Sequence, residues 1–271
     1  MRAVELVEKN TNVIEYKLRY DSKDNGRLYL TDKGNNAYEL YISNDVIYTG
    51  NLCEILGTDL NCGKLKVYGG NALYLMVNMF SNLKCNMIDI SNIKAVSIKD
   101  MSYMFNNCTQ LTEVVFGGIT TSFVTNMQNM FCNCHELRNV DFDSIDTKRV
   151  KNMSYMFAGC QKIESIDLSG FNTRDVSLMN KMFYDCNTVK EMNIPFDTRK
   201  IKDMTEMFAN CFALQSLNLS TFDISNVESM YQMFKNCYQL EELKISKDSF
   251  NKIMEIDGIF DGCNAIAIER V

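Results

Sequence analysis

The sequence predicts an α/β repeat solenoid: a stack of similar rungs with a parallel β-sheet on one side and short helical turns on the other, preceded by a small antiparallel β segment. Three observations predict it. A Met-Phe step recurs at Phe80, Phe105, Phe131, Phe157, Phe183, Phe208 and Phe234, and Ile259-Phe260 closes the series, with 25 or 26 residues between neighbours throughout. A period in that range marks a stacked repeat. A cysteine follows three residues after each Phe from Phe105 onward: Cys108, Cys134, Cys160, Cys186, Cys211, Cys237 and Cys263. An apolar triplet, Ile163-x-x-Ile166-x-Leu168 in one unit, returns in the others.

Residues 1–70 lie outside the period. Ile14-Glu15-Tyr16-Lys17-Leu18-Arg19-Tyr20 alternates apolar and polar side chains, as a half-buried strand does. Arg27–Thr31, Tyr38–Ile42 and Val46–Thr49 read as further short strands, separated by the turn-forming stretches Asp24-Asn25-Gly26, Lys33-Gly34-Asn35-Asn36 and Asn44-Asp45. The expectation is a meander that covers the first edge of the solenoid, which would otherwise expose unpaired backbone. Lys64–Val67 is expected to be the first strand in register with the repeats, which occupy residues 71–271 as about eight units, the last degenerate.

Within a unit, Met153-x-x-Met156-Phe157 places apolar residues at i, i+3 and i+4, one face of a helical turn. Asn152 and its counterparts Asp100, Asn126, Asp203 and Ser229 are suited to cap its start, with Leu178 the exception. Asn107, Asn133, Gly159, Asp185, Asn210, Asn236 and Gly262 stand two residues after each Phe and tolerate the left-handed conformation that ends a turn. The triplet that follows is the L-x-x-L-x-L strand pattern of a leucine-rich repeat, seen again as Leu111/Val114/Phe116, Leu137/Val140/Phe142, Val189/Met192/Ile194, Leu214/Leu217/Leu219 and Leu240/Leu243/Ile245. The methionine column Met76, Met101, Met127, Met153, Met179, Met204 and Met230 is expected in the core.

The stretch Asp146-Thr147-Lys148-Arg149-Val150-Lys151-Asn152-Met153-Ser154-Tyr155-Met156-Phe157, followed by Cys160, Ile163, Ile166 and Leu168, resembles the BspA-like leucine-rich repeat family. It matches the 26-residue branch written roughly D-T-S-N-V-T-x-M-S-x-M-F-x-x-C-x-x-L-x-x-L-x-L. The resemblance implies a leucine-rich-repeat fold and a binding rather than a catalytic role; bacterial members are often surface proteins linked to adhesion.

Composition narrows the function further. A net charge of −6 argues against a general nucleic-acid footprint, and no apolar run is long enough for a membrane span. The start, Met1 to Asn10, lacks the apolar core of a signal peptide, so the expectation is a cytoplasmic protein, with a surface adhesin as the alternative. Side chains in a stacked ladder sit about 4.8 Å apart, beyond the roughly 3.8 Å between disulfide Cβ atoms, so all eleven cysteines are expected as free thiols. Cys132, Cys134 and His135 lack the distant second pair that a zinc site needs. His135 is the single histidine, no Gly-rich phosphate loop is present, and neither an enzyme activity nor a cofactor is expected.

The expected function is a non-enzymatic protein-interaction scaffold whose sheet or turn face binds a protein partner. On the strand side the candidate contacts are Asp141, Asp143, Glu164, Asp167, Glu191, Asn193 and Asn218; residues 131–168 are acid-rich there, which suits a basic partner. Along the turns Tyr103, Tyr155 and Tyr231 are candidate anchors, since aromatic residues dominate interface hot spots. Self-association through a C-terminal edge, or end-on stacking as a structural component, is the other expectation.

Overall fold

Rung spacing decides what each repeat can be. Hydrogen-bonded strands lie about 4.8 Å apart, whereas an α-helix with its side chains is about 10–12 Å across. In the structure, a computed structural model that describes residues 3–10, 13–20, 23–43, 51–57, 60–70 and 75–271, the phenylalanine rings from Phe80 to Phe260 form one continuous stack. Their centroids are 5.2 to 5.7 Å apart and their planes within 10° of parallel. A helix on every rung does not fit that spacing, and the expected helical turns are instead tight reverse turns lying flat in the rung.

The hydrogen bonds of residues 101–108 show how. The N–H groups of Met101, Tyr103, Phe105 and Asn107 donate to the carbonyls of Asn126, Gln128, Met130 and Cys132 in the next rung, at 2.7 to 3.0 Å. Those of Met104, Asn106 and Cys108 donate back to the carbonyls of Met101, Tyr103 and Phe105, closing successive turns. The Ser102 N–H is taken by the Asp100 side chain at 2.8 Å. Every donor in the segment is therefore used, as a buried backbone requires. Asp100, Asn126, Asn152 and Asp203 cap these turns rather than helices, each accepting the N–H two residues ahead. Asn107, Asn133, Gly159, Asp185, Asn210, Asn236 and Gly262 have the expected positive φ, between 59° and 75°. A second positive φ falls on Tyr103, Asn129, Tyr155, Lys181, Glu206 and Gln232, and apart from Asn129 these are residue types that do not advertise it.

The N-terminal strands β1 (Ala3–Asn10), β2 (Val13–Tyr20), β3 (Lys23–Gly34) and β4 (Ala37–Ile42) pair antiparallel in order. The expected strand Val46–Thr49 lies outside the described residues. β4 then pairs parallel with β5 (Asn61–Gly69), β5 with β6 (Lys84–Ile93) and β6 with β7 (Glu113–Val115), making one seven-stranded sheet that runs from the meander into the repeats. A short helix, α1 (Leu52–Leu56), packs Leu52 beneath the first rung. Further along come β8 (Ser165–Asp167) with β9 (Glu191–Asn193), and β10 (Ser216–Leu219), β11 (Glu242–Ile245) and β12 (Ala267–Arg270), all parallel. Between β11 and β12 a helix, α2 (Lys247–Met254), capped by Ser246, takes the place of the usual corner.

Burial follows the repeat. Phe105, Phe131, Phe157 and Phe208 are fully buried, and the seven core methionines are at most 2% exposed. The corner threonines Thr147, Thr173 and Thr198 are buried too, and bond rung to rung: the Thr147 hydroxyl donates to the Asn172 carbonyl at 3.2 Å and accepts the Asn172 N–H at 2.8 Å. Thr121 and Thr173 repeat the pattern with Asp146 and Asp197.

The expectation of eleven free cysteines is corrected at one place. Cys62 and Cys85 form a disulfide between β5 and β6. They face one another in register, and their Cα atoms, 4.6 Å apart, fall inside the disulfide range of roughly 4.4–6.8 Å. Stacking spacing alone does not forbid the bond. The ladder cysteines stay free for a different reason: each thiol from Cys108 to Cys263 donates to the carbonyl of a Phe in the preceding rung, at 2.9 to 3.2 Å. Burial pushes Cys108 up to about 12, and Cys134, Cys160 and Cys186 rise with it for the same cause.

Candidate functional site: a break in the strand ladder

On the strand side, one N–H at the head of each rung reaches back to the rung before. Thr112 donates to Asn86, Arg138 to Thr112, Lys190 to Glu164, Gln215 to Lys190, Glu241 to Gln215 and Ala267 to Glu241, at 2.8 to 3.5 Å. The bond that would join Glu164 to Arg138 is missing. Leu137/Val140/Phe142, expected to make a strand, makes none, and no backbone hydrogen bond links residues 139–143 to either neighbouring rung. The sheet therefore ends at β7; β8 pairs only with β9, and a second interruption separates β9 from β10, where the Gln215 bond to Lys190 is kept.

The residues on this rung explain the break. Along one outward column, successive rungs carry Val115, Asp141, Asp167, Asn193, Asn218, Lys244 and Glu269. Most neighbours there are compatible: the Asn193 amide donates to Asp167 at 3.0 Å, and Lys244 bridges Glu269 at 2.8 Å. Asp141 and Asp167 are like charges one rung apart, and like charges facing each other on adjacent strands are destabilising. Phe142, like Phe116 in the paired rung before it, stands where Leu168, Ile194, Leu219 and Ile245 stand in the later rungs, so the facing aspartates rather than its bulk set this rung apart. The half-buried Phe142 ring is wedged edge-on between Phe157, at 5.8 Å, and Phe171, at 5.1 Å.

A cleft of about 470 Å³ opens at this point, with Phe142, Ile163, Ile166 and Phe171 as its floor and Arg138, Asp141, Asp143 and Asp167 on its rim. A second, of about 710 Å³, lies on the other side of the same rung, towards β7. The rim carboxylates differ in what holds them. Asp141 accepts the Asp143 N–H at 2.9 Å, and Asp167 accepts the Ser169 N–H at 2.9 Å, each closing a local turn. The Ser169 bond, with help from Asn193, holds the Asp167 carboxyl below the ordinary carboxylate range. The Asp143 carboxylate has no partner among the described residues. Arg138, one repeat before Glu164, forms no bridge to it, whereas Lys190, the next rung on, does at 3.8 Å.

The structure brings Asp141, Asp143 and Asp167 together at the cleft. Glu164 and Glu191 are exposed on the same side, and Asn193 and Asn218 continue the outward column. The three tyrosines do not form one surface. Tyr103 and Tyr155 are half-buried, at equivalent positions two rungs apart, and Tyr155 is covered by the Lys181 ammonium 5.7 Å from its ring centre. Tyr231 occupies a different rung position, equivalent to Ser154, and is 55% exposed. The lining residues Phe142, Ile166 and Phe171 were absent from the sequence-based candidates. Their signal was the aromatic at the third triplet position, next to two aspartates one period apart. No helix among the described residues is long and apolar enough to cross a membrane.

A family model described as "Mycoplasma protein of unknown function, DUF285" matches residues 74–194 and 166–269. Among solved structures, the chain is similar to a leucine-rich repeat protein from Bacteroides ovatus, at 14% identity and a TM-score of 0.23, over 100% of this chain and 98% of that one. No curated protein matches the chain.

Proposed function

The chain belongs to the DUF285 family, a BspA-like repeat family, and on that premise we propose that it is a non-enzymatic scaffold that binds a protein partner through the strand side of its solenoid. Its spacing of 25 or 26 residues and its Asp-Thr corners support membership of the 26-residue branch of such repeats. The observation that carries the functional reading is the break at residues 138–143. Here the stack gives up its backbone bonds and leaves an apolar floor open under an acidic rim. Departures from local consistency concentrate at functional sites. The test is site-specific photo-crosslinking in the native source, from Asn139 on the strand side and from Asn226 on an exposed corner. A discrete protein adduct from Asn139 and only background from Asn226 is expected. Background from both positions would contradict the reading.

The disulfide favours a second reading, surface adhesion, because such bonds persist in oxidising compartments. The nine unbonded cysteines favour folding in the cytoplasm. Non-reducing peptide mapping of the protein from its source separates the two: a Cys62–Cys85 peptide pair supports the surface, and free thiols at both support the cytoplasm.

A further inference from the structure

We infer that the cleft between residues 138–145 and 163–171 receives an arginine side chain from an extended segment of the partner; this rests on the scaffold reading above. The charge of the cleft selects a cation, because three carboxylates, Asp141, Asp143 and Asp167, stand against one guanidinium, that of Arg138. Elsewhere on the strand side some carboxylates are bridged, as Glu164 is by Lys190 and Glu269 by Lys244, while Glu113, Glu191 and Glu241 stand singly among the described residues; only at the cleft do three gather over an apolar floor. No cation of the described residues bridges Asp141 or Asp143.

The kind of cation follows from the other groups present. Carbonyls of residues 139–141 receive no backbone bond from either neighbouring rung, so the cleft offers carbonyl and carboxylate acceptors together. A guanidinium presents five donors in a planar fork and can satisfy both kinds at once, where an ammonium presents three from one point. The floor of Phe142, Ile166 and Phe171 suits the aliphatic stem of a long basic side chain, which lies along apolar surface while its head stays polar. A whole strand does not fit between the rungs, since the Phe131 and Phe157 rings below the break remain 5.7 Å apart. The partner therefore lies across the face and sends a side chain in.

The experiment uses the full chain and a fluorescein-labelled peptide of sequence Gly-Val-Arg-Val-Gly, read by fluorescence anisotropy at low ionic strength. Two controls isolate the charge: the same peptide with citrulline, neutral and nearly isosteric, and the combined variant Asp141→Asn, Asp143→Asn, Asp167→Asn, in which the amide oxygens still accept the turn N–H groups. The expected result is saturable binding of the arginine peptide, weakened roughly tenfold or more by either change, as loss of a charge-assisted hydrogen-bond pair implies. The variant should keep its far-UV spectrum. Equal binding of the arginine and citrulline peptides, an unaffected variant, or no binding at all would overturn the assignment. If the peptide fails while Asn139 still cross-links a partner, the arginine assignment falls and the scaffold reading stands; if both fail, both fall.

Discussion

The two sides of each rung obey different rules. On the turn side, the stacked Phe rings run without interruption from Phe80 to Phe260, and the inter-rung N–H bonds are complete from Met76 to Asn210. On the strand side the sheet is interrupted between β7 and β8, where residues 139–143 make no backbone bond to either neighbouring rung, and again between β9 and β10, and the strands around the first break shrink to three residues. The turn side can afford the strand side's irregularity, because each rung is already fixed to its neighbours there. The repeat supplies stability on one side and leaves the other free to vary its chemistry.

Substitutions on the two sides should therefore differ in size. Phe157→Ala removes a fully buried ring from the continuous stack and should cost about 3–5 kcal/mol in urea unfolding. Phe142→Ala, at the break and half-buried, should cost about 1–2 kcal/mol, near the value of a partly buried apolar side chain. Equal losses would erase the distinction.

Alkaline titration probes the buried thiols of the turn side. Burial pushes folded Cys108 up to about 12 against an ordinary 9.0, so above pH 9 the unfolded chain gives up its proton while the folded chain keeps it. The folded state then binds more protons than the unfolded one, and stability falls as pH rises. The contribution is intact below about 9 and declines between there and 12. Unfolding midpoints followed from pH 7 to 11 should drop beyond 9, and Cys108→Ala should flatten the drop. A level profile would contradict the buried-thiol ladder.

Smaller effects sharpen the contrast. Tyr103 holds a φ of 57°, and Tyr103→Asn should raise stability by about 0.5–1 kcal/mol, because asparagine tolerates that conformation better. Asp141→Asn should raise it by about 0.2–1 kcal/mol by removing one of two facing like charges, while keeping the turn acceptor. A loss of stability on Asp141→Asn would mean that the carboxylate charge supports the rung instead of straining it.

Much of this was legible in the residues. The Met-Phe spacing located the rungs, the Asn and Gly two residues later located one left-handed position, and the triplets located most strands. The sequence misled where one pattern fits two structures. Apolar residues at i, i+3 and i+4 suit a helical turn and also suit two consecutive reverse turns, and only the rung spacing near 5 Å separates them. The left-handed Tyr103, Lys181 and Glu206 carry no signature, because neighbouring rungs impose the conformation on whatever side chain is there. Asp141, Asp143 and Asp167 were readable as an acidic patch. That the patch surrounds an open cleft was not, because the cleft depends on Phe142 meeting Phe157 and Phe171 from other rungs.

Amide hydrogen exchange, resolved to single residues, tests the central claim most directly. The account predicts slow exchange for Met101, Tyr103, Phe105 and Asn107 and for their counterparts in the next two rungs. It predicts exchange faster by orders of magnitude for Asn139, Val140 and Phe142, whose N–H groups have no bond to hold them. Protection at residues 139–142 equal to that of the turn side would show a closed ladder, and with it no cleft.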